Sequence, residues 1–250
     1  MKSLKVSIVI PAHDEGVEIL DGLLLIDQSV NLEKEILVVV DDEKDSTADP
    51  VRTLSLKNPN IRLMVNPYAP GPGNAIRFGF ESSKGEVVVV SMADGCDDAS
   101  QISELVRLVE RGVVVACASR YMPGGQQVGG PRLKKFMSRL AGHSFAFFTG
   151  VGTRDVTNSF KAYKKSFVDQ VGIHSEDGFE IGIELVAKAR RLNQPVAEIP
   201  TTWIDRDFGY SKFQTGKWLP KYLTWYFFGL GFTSAHKKAS KHLRALRKMK

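Results

Sequence analysis

The chain has 250 residues, 43% of them hydrophobic, which is enough for one sizeable domain with a full core or one domain plus an appendage. Two unpatterned cysteines, Cys96 and Cys117, fit a reducing compartment; no Cys/His spacing suggests zinc, and the apolar run 6–10, ended by Pro11, is too short for a signal peptide. No run reaches the roughly 18–20 apolar residues of a spanning helix, and the net charge of +6 gathers in the last fifteen residues, which hold seven Lys/Arg and no acid.

Short runs rich in Val and Ile recur at 5–10, 35–40, 61–65, 86–90 and 113–118. They are apolar on both faces, as strands of a parallel sheet covered by helices must be. Helical patterns lie between them at 15–27, 47–56, 74–82 and 100–110; in the last, Ile102, Leu105, Val106 and Val109 share one face. This alternation predicts a doubly wound α/β sheet with right-handed crossovers. After Tyr121 the pattern changes. Pro123-Gly124-Gly125 and Gly129-Gly130-Pro131 bracket a loop. Helices follow at 133–148 and 179–192, a short strand at 195–200 and a loop at 209–213. The segment 218–232 is apolar and aromatic, and the basic tail closes the chain. The first ~120 residues read as a nucleotide-type half and the rest as an acceptor half of one unit.

Four polar groups fall where such a sheet builds its cleft, just outside the carboxyl ends of its strands. Pro11-Ala12-His13-Asp14-Glu15 follows the first strand and Asp41-Asp42-Glu43-Lys44-Asp45-Ser46-Thr47 the second. Adjacent carboxylates there accept hydrogen bonds from ribose hydroxyls or a base N–H. Gly71-Pro72-Gly73 precedes a helix N-terminus and lets a backbone approach closely; it is not a dinucleotide fingerprint. The run Val87–Val90 ends in Asp94, Asp97 and Asp98, three carboxylates within five positions. Carboxylates that close repel unless a cation or a hydrogen-bond network holds them; a divalent metal carrying phosphate is one reason to keep them, and an acidic loop that caps the next helix is the other.

Taken together and in this order, the motifs resemble those of inverting family 2 glycosyltransferases of the GT-A fold, closest to the dolichyl-phosphate mannose synthase type, over roughly residues 4–215. "P-x-x-N-E" matches Pro11–Glu15 with Asp14 in place of Asn, and "V-D-D-x-S-x-D-x-T" matches Val40–Thr47, one residue shorter. "G-x-G-x-A-x-R-x-G" reads as Gly71, Gly73, Ala75, Arg77 and Gly79. "G-S-R-Y-x-x-G-G" reads as Ala118 through Gly125, and "D-x-x-S-G-F-R-x-Y" as Asp155 through Tyr163 with Lys161 in place of Arg. "E-x-P-…-R-x-x-G-x-S-K" falls on Glu198, Pro200, Arg206, Gly209, Ser211 and Lys212. The resemblance implies that Pro11, His13, Glu15, Asp41 and Asp42 hold the nucleotide base and ribose. Val40, Gly73, Arg77, Ala93, Lys134 and Ser211 complete the implied substrate-binding set. One departure stands out: the family's metal motif Asp-Ala-Asp is Met92-Ala93-Asp94 here. Asp94 is expected to remain the direct ligand of Mg2+ or Mn2+, the diphosphate to supply oxygens and Asp97 or Asp98 to assist through water; a thioether is a poor ligand for so hard an ion.

The chemistry of the implied reaction fits these residues. Transfer from a GDP- or UDP-hexose builds negative charge on the leaving diphosphate. Arg206 and Lys212 are expected to close over it as a cationic lid, and Arg120 and Lys134 to bind a phosphate acceptor. A phosphate needs little general-base help; for a hydroxyl acceptor Asp155, Glu176 and Asp177 are the candidate bases, with Asp155 counted among the catalytic residues. His143, His174, His236 and His242 show no ligand spacing and read as structural or surface. Glu180 and Glu184, one turn apart, read as a solvated or site-rimming face.

The catalytic domain is expected over 1–215 and an amphipathic, basic helical segment over 216–250. Trp218, Tyr222, Trp225 and Tyr226 beside Lys217 and Lys221 suit a membrane interface, and the tail adds attraction to anionic lipids. A docking helix or a dimer contact is the competing reading. The expected protein is thus a cytoplasmic, peripherally membrane-associated transferase. It moves a hexose from a nucleotide sugar to a polyprenyl phosphate, with a homodimer or a membrane-anchor partner both open. Transfer to a glycan or other hydroxyl, and a non-catalytic nucleotide-sugar-binding subunit, are the alternatives. No nucleic-acid-reading motif is present.

Overall fold

The valine and isoleucine runs become strands buried on both faces. The computed structural model describes residues 4–176, 178–205 and 215–248, with no side chains described at 215–217. β1 (Val6–Pro11), β2 (Lys34–Val40), β3 (Ile61–Val65), β4 (Val87–Val90) and β5 (Val115–Ser119) alternate with α1 (Ile19–Ser29), α2 (Ala48–Ser55), α3 (Pro72–Ser82) and α4 (Ile102–Glu110). β6 (Gln126–Val128) and α5 (Arg132–Thr149) follow, then β7 (Lys161–Lys164), α6 (Lys165–Val171), α7 (Ile181–Arg191), β8 (Val196–Pro200) and β9 (Thr202–Ile204). α8 (Thr215–Leu230) and α9 (Lys237–Lys248) close the chain.

Seven strands form one sheet in the order β3-β2-β1-β4-β7-β5-β8, and β6 and β9 pair in a second. All pairings in the main sheet are parallel except those of β7, which lies antiparallel between β4 and β5. The strand order reverses at β1, flanked by β2 and β4. A crevice opens outside the carboxyl ends at such a switch point. The reversed β7 brings the segment before it, Asp155–Phe160, to that same edge.

Successive strand residues point to opposite faces. Ile8, Ile10, Ile36 and Val38 pack under α1, α2 and α4. Val9, Leu37, Val39 and Val88 pack with residues of α3, α5, α7, α8 and α9. Helix α1 starts later than its pattern suggests. Asp14 and Gly16 take φ of 52° and 60°, left-handed values that break helical propagation before Ile19.

The C-terminal segment is packed into this core. Trp225 is 3% exposed, Phe228 and Ala239 are fully buried, and Leu243 is buried with them. Trp225 Nε1 donates to Ser175 Oγ at 2.9 Å, and His236 stacks on the Trp225 ring at 4.4 Å. Below them, Glu184 and Lys188 form a fully buried ion pair. Glu184 accepts the backbone N–H of His174 at 2.7 Å and of Ser175 at 2.8 Å. Lys188 also donates to Gly172 O at 2.6 Å and to His174 Nδ1 at 2.7 Å. Burial raises the Glu184 carboxyl, but Lys188 and these donors outweigh it and hold it at about 2. Glu180 and Glu184 are therefore interior groups, which corrects the expectation of a solvated face.

Burial first, then the neighbouring His174, lowers His236 and His242 below the usual histidine range. A histidine depressed in the folded state contributes stability above its unfolded pKa of about 6.5, and that contribution is lost as pH falls. Thermal melts should therefore show Tm falling from pH 7 to pH 5, and His236→Gln should flatten that slope. An equal slope in the variant would remove His236 from the cause.

Candidate active site

One side of the cleft is built by two loops tied together through Asp45 and Thr47. Asp45 accepts the Thr47 N–H at 2.8 Å and the Asp14 N–H at 3.1 Å, while Glu15 N–H reaches Thr47 Oγ1 at 3.0 Å. The Asp45 side chain is almost fully enclosed, 3.4 Å from His13 Nδ1. Burial alone raises its carboxyl; hydrogen bonds from Thr47 and Asp14 with the His13 charge lower it overall. The left-handed Asp14 explains the residue type, because Asp and Asn tolerate that conformation. The His13 ring is exposed at the mouth of the cleft, beside the buried Pro11 that ends β1.

Asp41 and Asp42 differ in what they face. Asp41, just after Val40, accepts Asn66 Nδ2 at 2.9 Å and the Gly71 N–H at 2.8 Å, so it fixes the loop that leads into α3. Gly71 sits at φ 141°, ψ 152°, open to glycine alone, and Gly73 is buried in the first turn. Asp42 is exposed, and its carboxylate accepts the nearby Lys44 N–H at 2.8 Å. Arg77 turns along its own helix, donating to Glu81 at 2.9 Å and lying 4.8 Å over the Tyr68 ring.

At the end of β4, Ala93 and Asp94 are half-buried, and Asp94 Oδ1 accepts the Cys96 N–H at 3.1 Å. Asp97 Oδ2 accepts the Met92 N–H at 2.9 Å and the Ser91 hydroxyl at 3.2 Å. Burial, with the Asp94 charge in support, pushes the Asp97 carboxyl up to about 7. Asp98 caps the next turn through Ser100, accepting its N–H at 3.0 Å. Two of the three acidic residues are thus engaged within the loop: Asp98 caps and Asp97 braces the Met92 backbone. Among the described residues no group of three or more His, Cys, Asp or Glu converges to hold a metal ion. The donor set here is a single carboxylate, which fits a hard divalent cation only with oxygens supplied by a bound diphosphate.

The other side of the cleft centres on Arg120, immediately after β5. Its Nε donates to Asp155 Oδ2 at 2.8 Å and its Nη2 to Asp155 Oδ1 at 3.0 Å. Nη2 also reaches Thr157 Oγ1 at 3.3 Å and Ser138 Oγ at 3.4 Å. Asp155 has no exposed surface. Burial raises its carboxyl, and Arg120 more than reverses that, holding it below the usual range. An enclosed, salt-bridged carboxylate is poorly placed to take a proton from substrate, and its bonds anchor Arg120. A cavity of about 310 Å³ opens beside the pair, lined by Arg120, Tyr121, Gln127, Lys135 and Arg139 among others. Lys134 is half-buried; burial and then Arg120 lower its pKa, partly offset by Asp205.

The sequence motifs led to Arg120 and Lys134 but not to Lys135 and Arg139, which stand one turn apart on α5 facing the same cavity. Asp45 and Thr47 were visible within a motif, but only the structure shows that they brace the neighbouring loop. Glu176 is described; Arg206, Ser211, Lys212 and Asp177 lie outside the described residues.

A mostly parallel sheet with acidic and cationic loops gathered at its carboxyl edge defines a nucleotide-binding α/β enzyme of the GT-A fold. The chain belongs to glycosyl transferase family 2, whose model matches residues 7–172, and is a glycosyltransferase. A polyprenol monophosphomannose synthase of Mycolicibacterium smegmatis is 32% identical over 183 residues, 71% of this chain and 69% of its own. An undecaprenyl-phosphate mannosyltransferase of Micrococcus luteus is 27% identical over 85% of this chain and 89% of its own. A dolichol-phosphate mannosyltransferase of Pyrococcus furiosus is 30% identical over 88% of this chain, which spans 62% of that protein. Among solved structures, glucosyl-3-phosphoglycerate synthase from Mycobacterium tuberculosis with Mn2+, UDP and glucosyl-3-phosphoglycerate superposes with a TM-score of 0.66 at 16% identity, over 91% of this chain and 80% of that one. The same enzyme is solved with Mg2+ and UDP. At that identity the likeness shows the fold.

Proposed function

We propose that the chain transfers a hexose, mannose by likeness to its relatives, from a nucleoside diphosphate sugar to a polyprenyl phosphate with inversion. The observation that carries this reading is the cationic cavity at Arg120, open beside the same sheet edge as Asp94. An acceptor phosphate is already ionised near pH 7 and needs cations to position it rather than a base. Arg120, Lys134, Lys135 and Arg139 supply them. On the donor side, Asp42 and His13 face the nucleoside, with Asp45, Thr47 and Asp41 holding their loops. Asp94 would hold Mg2+ or Mn2+ together with the diphosphate, and such a cation neutralises charge on the departing nucleotide. Arg206 and Lys212 are proposed to close over that diphosphate.

The acceptor chain calls for a membrane surface. No helix of the described residues is long and apolar enough to cross a membrane. Yet α5 exposes Leu133, Phe136 and Leu140, and α8 exposes Leu219, Leu223 and Phe227. We assign these apolar faces to contact with the bilayer interface.

The test is transfer from a panel of GDP- and UDP-hexoses with Mg2+ or Mn2+, with and without a short polyprenyl phosphate. Metal-dependent transfer that requires the lipid phosphate supports the reading. Donor binding with transfer only to a hydroxyl acceptor, or no transfer, would overturn it.

A further inference from the structure

Four arginines converge at the end of the molecule remote from the acceptor cavity. The C-termini of three helices hold them. Arg190 Nε donates to the carbonyl of Thr149, the last residue of α5. Arg191 donates to Phe228 O of α8 at 3.5 Å and lies 5.3 Å over the Phe228 ring. Arg247 of α9 donates to the carbonyl of Arg191, the last residue of α7. Helix C-termini carry partial negative charge and so gather cations. That charge is partial, and four guanidiniums exceed it. Burial first, then Arg247, Arg190 and Arg244 in turn, lower Arg191 below the ordinary arginine range. Among the described residues none of the four forms an ion pair with a carboxylate.

Exposed aromatics stand at the same corner. Phe147 and Phe148, just before Thr149, are 83% and 67% exposed. Phe232, which follows α8, is 58% exposed and packs on Phe227 at 5.9 Å. Aromatic rings beside uncompensated guanidiniums match a surface that is apolar within and anionic at its rim.

We propose that this arginine and phenylalanine corner is a second membrane-docking point, one that binds the headgroups of anionic phospholipids. It rests on the membrane-contact reading above and adds to it a headgroup charge and an orientation. Helices α5 and α8 then lie along the bilayer, anchored at one end by the acceptor cavity and at the other by the arginines. The anionic partner is a phospholipid surface rather than the acceptor, because the cavity-lining Lys135 and Arg139 lie in the first half of α5 and Thr149, at this corner, is its last residue.

Vesicle flotation of the full chain tests it, comparing phosphatidylcholine with phosphatidylcholine doped with phosphatidylglycerol. Wild type should prefer the anionic vesicles and be released by about 0.5 M salt. The triple variant Arg190→Gln, Arg244→Gln, Arg247→Gln should lose roughly a hundredfold of that binding, about fivefold per charge. The same variant should transfer normally to a short polyprenyl phosphate in detergent, so loss of transfer by both proteins would count against the function proposed above and not against this surface. Equal wild-type binding to both vesicles, or salt-resistant binding, would overturn the proposal even if the variant failed to fold. So would a lipid-free dimer that the triple variant abolishes, since the occupant would then be a second copy.

Discussion

Replacing Arg120 with alanine is expected to destabilise the protein by about 3–5 kcal/mol and to abolish transfer. Asp155 has no exposed surface, and its recorded donors are dominated by the Arg120 N–H groups, with Asn158 N–H at 3.1 Å and Thr157 Oγ1 at 3.3 Å beside them. Without the guanidinium, an enclosed carboxylate keeps only neutral donors, the backbone N–H groups of residues 120 and 158 and the Thr157 hydroxyl, and loses its hydrogen-bonded counter-charge. That penalty, rather than any surplus strength of the pair, sets the size of the loss. Urea unfolding of the variant gives the number, and a midpoint equal to wild type would show that the pair is not enclosed as described. The double variant Arg120→Met, Asp155→Leu separates structure from chemistry. An apolar pair of similar volume should recover most of the stability, while transfer should stay lost because no cation faces the acceptor. Recovery of transfer along with stability would leave Arg120 with a purely structural role.

The first four strands and the loops after them were legible because their signal is local. Runs such as Val87–Val90 announce a two-face-buried strand, and the polar group that follows each one falls at the sheet's carboxyl edge by topology alone. The part of the site around Arg120 was less legible because its contacts are not local: Arg120 and Asp155 are 35 residues apart. The strand β7, which follows Asp155, escaped notice for a physical reason. Its sequence Lys-Ala-Tyr-Lys reads as polar, yet Lys161 is fully buried, its ammonium donating to the carbonyls of Val156 and Asn158. Burial lowers Lys161, and Cys117 and Asp155 offset part of that. The same blindness applied to Glu180 and Glu184. Two carboxylates one turn apart on a helix look like a solvated or site-rimming face, and only tertiary packing, with Lys188 paired to Glu184, puts them inside.

Asp94→Asn is expected to remove metal-dependent donor binding and to lower turnover at least about a hundredfold, on the scale of losing one preorganised electrostatic group. The reason is the sparseness of the site. Asp97 is engaged with the Met92 N–H, Asp98 caps a turn, and a thioether contributes nothing to a hard cation, so no neighbour substitutes for Asp94. Mn2+ titration in the presence of nucleoside diphosphate measures the binding, and undiminished affinity in the variant would exclude Asp94 as the ligand. Met92→Asp probes the same site from the other side. It sets a third carboxylate beside Asp94 and Asp97, whose carboxyl already sits at about 7 through burial and the charge of Asp94. Like charges that close favour a bound cation and destabilise the metal-free protein. The metal-free variant should therefore melt below wild type above pH 7, regain its Tm with Mn2+, and bind Mn2+ about tenfold more tightly. If turnover rises while Mn2+ affinity does not, the residue at position 92 acts on the donor sugar and not through the metal.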